Sequence, residues 1–479
     1  MILPDNIEAC HIIILELIQQ VNTLTALAEK QAIIIKHQGA KIKELEARLN
    51  QNSQNSSKPP SSDFNKPAKK TRSALPKELK KQGGQKGHKG STLKMVDSQD
   101  ADNVIPLKPE RCKCGKRLKR QPMVIHSRRQ LFDIPKPKLI ITEYQQYSCS
   151  CPECGKTNYG VYPDQIKAPV QYGVGIKSLT TLLSVKFHLS HQSISELFVD
   201  LYKQPINSAT IQSNIQTASK HSDETLEHIK SELLKLANIH LDETGLRVKN
   251  KKYWLHVASN EMWTYLYAHK NRGRKAIEEE FLEIYNYVGT VTHDSWETYW
   301  SLKKANHSLC GAHILRELVA LIEQDRKWAP KMLNLLIKLY KKNKGGKQID
   351  RRSSEWRQYK QICKAALEEE PPPVKGARGK PKSTKGRNLA ERLLKYQEEV
   401  LRFSREVDIP FTNNQAERDL RPAKGKIKVA GSFRSVQGAQ YYARLQSVFS
   451  TWRKHGYNVF EELKTMINDG KPAFLLNPT

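Results

Sequence analysis

Asn238-Ile239-His240-Leu241-Asp242-Glu243-Thr244-Gly245-Leu246-Arg247-Val248 decides how the chain is read. Ile239, Leu241 and the apolar and β-branched residues around them predict a buried strand. Asp242 sits in its middle, and a carboxylate inside an apolar strand is costly unless a cation or hydrogen bonds compensate it. Two later acids share that setting. Asp294 ends the apolar run Tyr287-Val288-Gly289-Thr290-Val291-Thr292-His293-Asp294, and Glu417 lies in Thr412-Asn413-Asn414-Gln415-Ala416-Glu417-Arg418, at the start of a predicted helix. The expectation is that the fold gathers Asp242, Asp294 and Glu417 around divalent metal ions and that other segments bring DNA to them. Neighbours on a strand face opposite ways, so Glu243 is the rival of Asp242. Glu297 is the rival of Asp294.

The residue types suit phosphodiester chemistry. Two Mg²⁺ ions about 3.5–4 Å apart activate water or a 3′-hydroxyl and stabilise the leaving oxygen. Mg²⁺ takes hard oxygen ligands. Asp242 is expected to bridge the two ions, with Asp294 holding one and Glu417 the other; Mn²⁺ is the expected substitute. Arg418 and Arg421 follow Glu417, and Arg421 shares its helical face, where a guanidinium grips phosphate bidentately. Lys424, Lys426, Lys428 and Arg434 join them as expected DNA contacts. His313 and Arg316, three apart after Cys310, are further candidates, although a structural histidine is the commoner outcome.

Composition agrees with a polyanion partner. The 479 residues carry a formal net charge of +31, an excess that points to nucleic acid. No uninterrupted run of about eighteen apolar residues is present and the N-terminus lacks a signal pattern. The expectation is a soluble intracellular protein with no membrane partner. Eight cysteines in so long a chain are no disulfide framework.

Taken in order, the chain divides into six parts. In residues 1–50, Ile7, Ile14, Val21, Ala28, Ile35, Ile42 and Leu49 recur every seven residues, with Leu17, Leu24 and Leu45 three further on. That heptad predicts a parallel coiled coil and hence a homo-oligomer, weakened at Gln31, Gln38 and Gly39. Residues 51–105 are an Asn/Ser/Pro-rich and then Lys-rich linker without core-forming residues. Residues 106–165 hold Cys112-Lys113-Cys114-Gly115 and Cys149-Ser150-Cys151-Pro152-Glu153-Cys154-Gly155. A glycine after each pair fits a zinc knuckle, and one structural Zn²⁺ on Cys112, Cys114, Cys151 and Cys154 is expected, with Cys149 as substitute. Short β-like runs such as Leu139-Ile140-Ile141-Thr142 lie between.

Residues 166–236 read as helices, either a helix-turn-helix or plain scaffold, with Ser208 the expected N-cap of the third. Residues 237–425 alternate as three strands joined by hairpin turns at Asn250-Lys251 and Asn260-Glu261, then a helix over 275–285, a strand and a helix. That is the order of an RNase H-like domain, here with a helical insertion at about 325–400 carrying the basic loop 375–387. Residues 426–479 are a basic segment and C-terminal helices. The fold class is therefore a multidomain α+β chain: coiled coil, zinc ribbon, helical region, RNase H-like α/β domain with helical insertion, and helical C-terminus.

Several of these stretches resemble one family. Asn55-Ser56-Ser57-Lys58-Pro59-Pro60-Ser61-Ser62-Asp63 resembles the signature after the N-terminal zipper in transposases of the insertion-sequence sixty-six family. His240-Leu241-Asp242-Glu243-Thr244, His293-Asp294-Ser295-Trp296 and Asn413-Asn414-Gln415-Ala416-Glu417-Arg418-Asp419-Leu420-Arg421-Pro422 resemble its three catalytic-acid motifs, and Gly431-Ser432-Phe433-Arg434-Ser435 is similar to a later one. The resemblance implies an RNase H-like DDE enzyme with Asp242, Asp294 and Glu417 catalytic. It also implies cleavage of double-stranded DNA at terminal repeats, strand transfer by the freed 3′-hydroxyl into target DNA, and accessory proteins of the same element. The compressed first cysteine pair departs from the family pattern, as does the Lys-rich 424–430 run. The alternatives are a catalytically silent DNA-binding regulator of the same descent and a structure-specific nuclease.

Overall fold

The computed structural model describes residues 6–51, 55, 90, 92–119, 121–370, 372–373 and 383–472. Most of the basic linker, residues 56–63 of the N-terminal signature, and residues 375–382 of the basic loop lie outside the described residues. The architecture is mixed helix and sheet and divides into two compact units. One comprises Met1–Pro76, Val161–Glu196 and Pro205–Thr479, the other Lys77–Gly160 and Leu197–Gln204.

Helix α1 (Ile7–Leu49) runs unbroken for 43 residues, through Gln31, Gln38 and Gly39. Ile7, Ile14, Val21, Leu24 and Leu49 of its heptad seam are all exposed. Within it, Cys10–Ala32 is long and apolar enough to cross a membrane by length and composition, with a mean hydropathy of 1.3. Glu16, Gln19, Gln20, Asn22, Glu29 and Lys30 fall off the heptad seam, but so do Ile12, Ile13, Leu15, Ile18 and Leu27, so its apolar residues are not confined to one face.

In the cysteine-bearing unit, β1 (Ser148–Ser150) pairs antiparallel with β2 (Thr157–Tyr159). The apolar run 139–142 is not a strand, contrary to expectation, and Ile140 and Ile141 are 89% and 91% exposed. Pairing is decided by the turn at Cys151–Cys154, which sets its two flanks face to face. Residues 139–142 have no such turn beside them.

Helices α2 (Val174–Val185), α3 (His191–Tyr202), α4 (Ser208–Lys220) and α5 (Asp223–Lys235) precede the sheet; α2, α4 and α5 belong to the larger unit and α3 is divided after Glu196. The N-cap of α4 is Asn207, one residue before the expected Ser208; its side chain accepts the Ala209 N–H at 2.8 Å. The sheet holds β3 (Asn238–Val248), β4 (Lys251–Ser259), β5 (Thr264–His269), β6 (Thr290–His293) and β7 (Asn306–Leu309) in the order β5-β4-β3-β6-β7. β3–β4 and β4–β5 are antiparallel, while β3–β6 and β6–β7 are parallel. The first hairpin turns at Lys249 and Asn250, with φ of 47° and 62°, as a two-residue turn with left-handed centres requires. That is one residue earlier than expected. Between β5 and β6, α6 (Arg274–Glu280) gives way to a 3₁₀ turn at Leu282–Asn286, where one longer helix was expected.

After β7 come α7 (Gly311–Ile322), α8 (Trp328–Lys344), α9 (Ser354–Glu369), α10 (Lys385–Lys395) and α11 (Gln397–Leu401). They share one apolar core around Trp328, Met332, Leu336, Tyr359 and Leu393. The chain closes with α12 (Asn414–Ala430), α13 (Val436–Lys454) and α14 (Val459–Asp469). Helix α12 runs straight across 425–426, where the sequence reading drew a boundary. Helix α13 covers the edge strand β5: Ser447 Oγ and Thr451 Oγ1 accept the Leu266 and Thr264 N–H groups at 2.8 and 3.1 Å. An edge that would otherwise recruit another strand is thereby closed.

Candidate active site

The first acid is placed by the sheet. β3 and β6 pair in parallel through Asn238–Thr290, Ile239–Val291 and His240–Thr292. The paired rows stop at His240–Thr292, two residues short of Asp242 and Asp294, and the two carboxylates are near enough for the Asp294 charge to act on Asp242. Burial, then the charges of Asp294 and Glu243, push the Asp242 carboxyl up to about 7. Its Oδ1 accepts the Glu243 N–H at 2.9 Å.

The rival Glu243 points to the other face and is fully engaged. Its carboxylate takes Arg272 at 2.6 Å and the Tyr299 hydroxyl. The Arg272 guanidinium stacks on Trp296, 3.7 Å from the ring centroid, and on Trp254 at 4.8 Å. Burial raises the Glu243 carboxyl while Tyr299 and Arg272 oppose the rise. The network fastens the Asp294 loop to β3 through Trp296 and Tyr299.

Asp294 follows β6 at a tight turn. Its Oδ1 accepts the Trp296 N–H at 3.0 Å, and Ser295 adopts φ of 77°. A relay of imidazoles supports that turn. His293 Nδ1 accepts the Ser295 N–H at 3.1 Å, His293 Nε2 faces His307 Nδ1 at 3.0 Å, and His307 Nε2 faces the Leu302 carbonyl at 3.2 Å. The outer partners fix the tautomers, so each ring accepts at Nδ1 and donates at Nε2. Burial holds His293 far below its ordinary value, hence neutral. The other rival, Glu297, is exposed in the following 3₁₀ turn.

Asn413 brings in the third acid. Its amide donates to the Leu241 carbonyl at 2.8 Å, its Oδ1 lies 2.8 Å from His240 Nδ1, and its backbone N–H donates to Cys310 Sγ at 3.1 Å. Glu417 stands one helical turn further on, its N–H donating to the Asn413 carbonyl at 3.3 Å. The start of α12 is thus latched to the residue before Asp242. The Glu417 carboxylate faces Arg316 at 3.6 Å. Arg316, expected to face DNA, is therefore partnered by an acid.

His313 is half-buried between the two groups. Burial opposes its charge, but the Cys310 sulfur and then the Asp294 carboxylate favour it, and the imidazole rises to about 9. Among the described residues no group of three or more His, Cys, Asp or Glu side chains is set to hold a metal ion. The structure brings Asp242 and Asp294 side by side and Glu417 to the same end of the sheet, without closing the three into one ligand cluster.

Of the expected DNA contacts, Arg418, Arg421, Lys424, Lys428 and Arg434 are exposed. Lys426 is turned inward, its ammonium 3.4 Å from the Ser184 carbonyl. The Gly431–Ser435 stretch has a structural task. Phe433 donates to the Arg247 carbonyl at 2.8 Å and accepts from Lys249 at 2.9 Å, tying the end of α12 to the end of β3.

The cysteines form two separate knuckles. The Cys112 N–H donates to the Lys116 carbonyl and the Cys151 N–H to the Lys156 carbonyl, both at 2.9 Å. Gly115 and Gly155 take φ of 90° and 69°, a conformation that suits glycine. Backbone N–H groups and the neighbouring thiol lower Cys114 and Cys151.

Sequence reasoning missed Asn413, Cys310, Arg272, Tyr299 and the His293–His307 relay. Only the Asn413-Asn414 doublet before a helix offered a signal, as an Asx residue in capping position.

The family model described as Transposase IS66 family matches residues 169–441, more than half of the chain. A family of unknown function, DUF6444, matches residues 11–94. No curated protein matches.

Proposed function

The chain belongs to the transposase IS66 family, and from that premise we propose that it cuts element ends and joins their 3′-hydroxyls to target DNA at Asp242, Asp294 and Glu417. The reading is supported by the parallel pairing of β3 with β6, whose paired rows lead on to Asp242 and Asp294, and by the Asn413 hydrogen bond to β3 one helical turn before Glu417. The strand order, three antiparallel then two parallel, supports the RNase H-like assignment.

The donor set fits hard divalent cations. Asp242 is a desolvated carboxylate beside another carboxylate, an arrangement that a cation relieves. Two Mg²⁺ ions, when bound, activate the attacking oxygen and neutralise charge on the leaving one. The protein's share is positional. Glu243, Arg272 and Tyr299 hold the Asp294 loop against β3, and Asn413 fixes where α12 begins. Arg421, Lys424 and Lys428 lie on the helical face of Glu417, where they grip the DNA backbone.

The remaining assignments belong to the same reading. Cys112, Cys114, Cys151 and Cys154 hold one Zn²⁺, with Cys149 as alternate. Helix α1 pairs with a second copy along its exposed heptad seam. The protein acts in the cytoplasm on the nucleoid, with accessory products of its element.

The test is Mg²⁺-dependent joining of end-bearing DNA to a target plasmid. Wild type should join and Asp242→Ala should not. Equal joining by both would refute the assignment.

A further inference from the structure

A basic cluster of four cations and two imidazoles, with no carboxylate partner among the described residues, lies away from the acids. It comprises Lys186, His188 and His191 on the turn between α2 and α3, Lys426 near the end of α12, Arg434 just beyond it, and Arg453 near the end of α13. Contacts place Lys426 and the two histidines, and Arg453 and Arg434 lie near enough for their charges to act on Lys186 and His191. Lys426 Nζ lies 3.4 Å from the Ser184 carbonyl. A Cβ on Gly425 would stand 3.6 Å from His188 Nδ1. His188 holds φ of 63° with its Nε2 3.4 Å from the Tyr442 hydroxyl, and His191 Nδ1 meets Ser208 Oγ at 3.0 Å.

None of the six has a carboxylate within ion-pair distance among the described residues, although the chain pairs many of its other lysines and arginines. The four lysine and arginine charges repel one another, and burial together with those charges holds the two imidazoles neutral. Burial and then the Arg453 charge bring Lys186 down to about 8. Burial, then Lys426, lower both His188 and His191. A fold does not gain stability by gathering like charges. The exposed Phe187 projects from the middle of the same turn.

The cluster is not part of the catalytic grip. Lys426 is nine residues from Glu417, two and a half helical turns on, and so on the opposite side of α12. We propose that the α2–α3 turn, Lys426, Arg434 and Arg453 form a second clamp for the phosphate backbone of duplex DNA, separate from the strand that reaches the acids. The clamp rests on the transposase reading for its ligand but not on the catalytic assignment.

The probe is a fluorescein-labelled duplex of arbitrary sequence, titrated by anisotropy with the full chain over a series of salt concentrations. Each phosphate contact contributes about 0.9 to the slope of log K against log salt. The double variant Lys186→Gln/Arg453→Gln should flatten that slope by about 2 and weaken binding about tenfold at ~0.1 M salt. Its melting temperature should equal or exceed that of wild type, since repulsion is removed. An unchanged slope, or a lower melting temperature, would overturn the clamp.

A second measurement uses wild type alone. Lysine acetylation read by mass spectrometry should show Lys186 protected by DNA, and equal labelling with and without DNA also overturns the proposal. If Asp242-dependent joining is seen while the slope stays unchanged, the clamp falls and the transposase chemistry stands. If no joining is seen but the slope flattens, the reverse holds.

Discussion

The five-stranded sheet and the cysteine-bearing segment hold their shape by different means. β5 is buried at every residue, and Ile239, Leu241, Leu255 and Val291 are almost completely enclosed. In the cysteine segment Leu107, Val124, Leu131 and Ile141 are each more than nine-tenths exposed, and its two strands span three residues apiece. The first region is stabilised by apolar burial, at roughly 25 cal/mol per Å². The second has too little burial to fold that way, and small domains in this position depend on metal or other cross-links. A carboxylate can be strained inside the sheet because its surroundings are fixed by packing, whereas the knuckles have only backbone turns to hold their thiols.

The comparison can be broken at several points. The largest effect should come from chelation. Structural zinc supplies about 10–16 kcal/mol to small domains. A strong chelator should raise hydrogen exchange throughout 106–165 and leave the sheet protected, and metal analysis should find about one zinc per chain. Equal exchange with and without chelator would remove metal as the holder of that segment.

Asp242→Asn should raise stability in the sheet, with a pH signature. The folded carboxyl titrates near 7 against an ordinary 3.8. The folded chain therefore keeps a proton that the unfolded chain loses, and stability falls as pH rises through that window and levels off above it. The substitution should remove up to about 4 kcal/mol of that loss above pH 7 and nothing below about pH 4. Melts in metal-free buffer at both ends would check it, and no gain at high pH would mean the charge is better solvated than the geometry implies. Asn413→Ala should cost about 2–3 kcal/mol, since it leaves a buried carbonyl and imidazole unpartnered. Joining activity should fall with it, because the start of α12 loses its tie to β3. Smallest is Tyr299→Phe, about 1 kcal/mol by denaturant melts, for one hydroxyl bond to Glu243.

The strand at 238–248, the strand before Asp294 and the helix carrying Glu417 could all be read from pattern, because apolar periodicity and burial coincide there. β7 could not: Asn306-His307-Ser308-Leu309 is short and half polar, and becomes a strand only because β6 offers it an edge. β1 is Ser148-Cys149-Ser150, without a β-branched residue, and β2 offers only Thr157 and Tyr159 around Asn158. The apolar run 139–142 made that announcement without a partner to receive it. Side chains such as Asn413 and Cys310 stayed silent because their partners lie far off in the sequence, and no local pattern encodes such a meeting.

Where α7 begins, the chain touches the place to which it later returns. The Gly311 N–H donates to the Phe411 carbonyl at 2.8 Å, and any Cβ on Gly311 would overlap the Phe411 ring. The helices α8 to α11 therefore leave and re-enter through one doorway, hinged on a residue with no side chain. A module with coincident ends can be shortened, enlarged or exchanged with little added closure entropy.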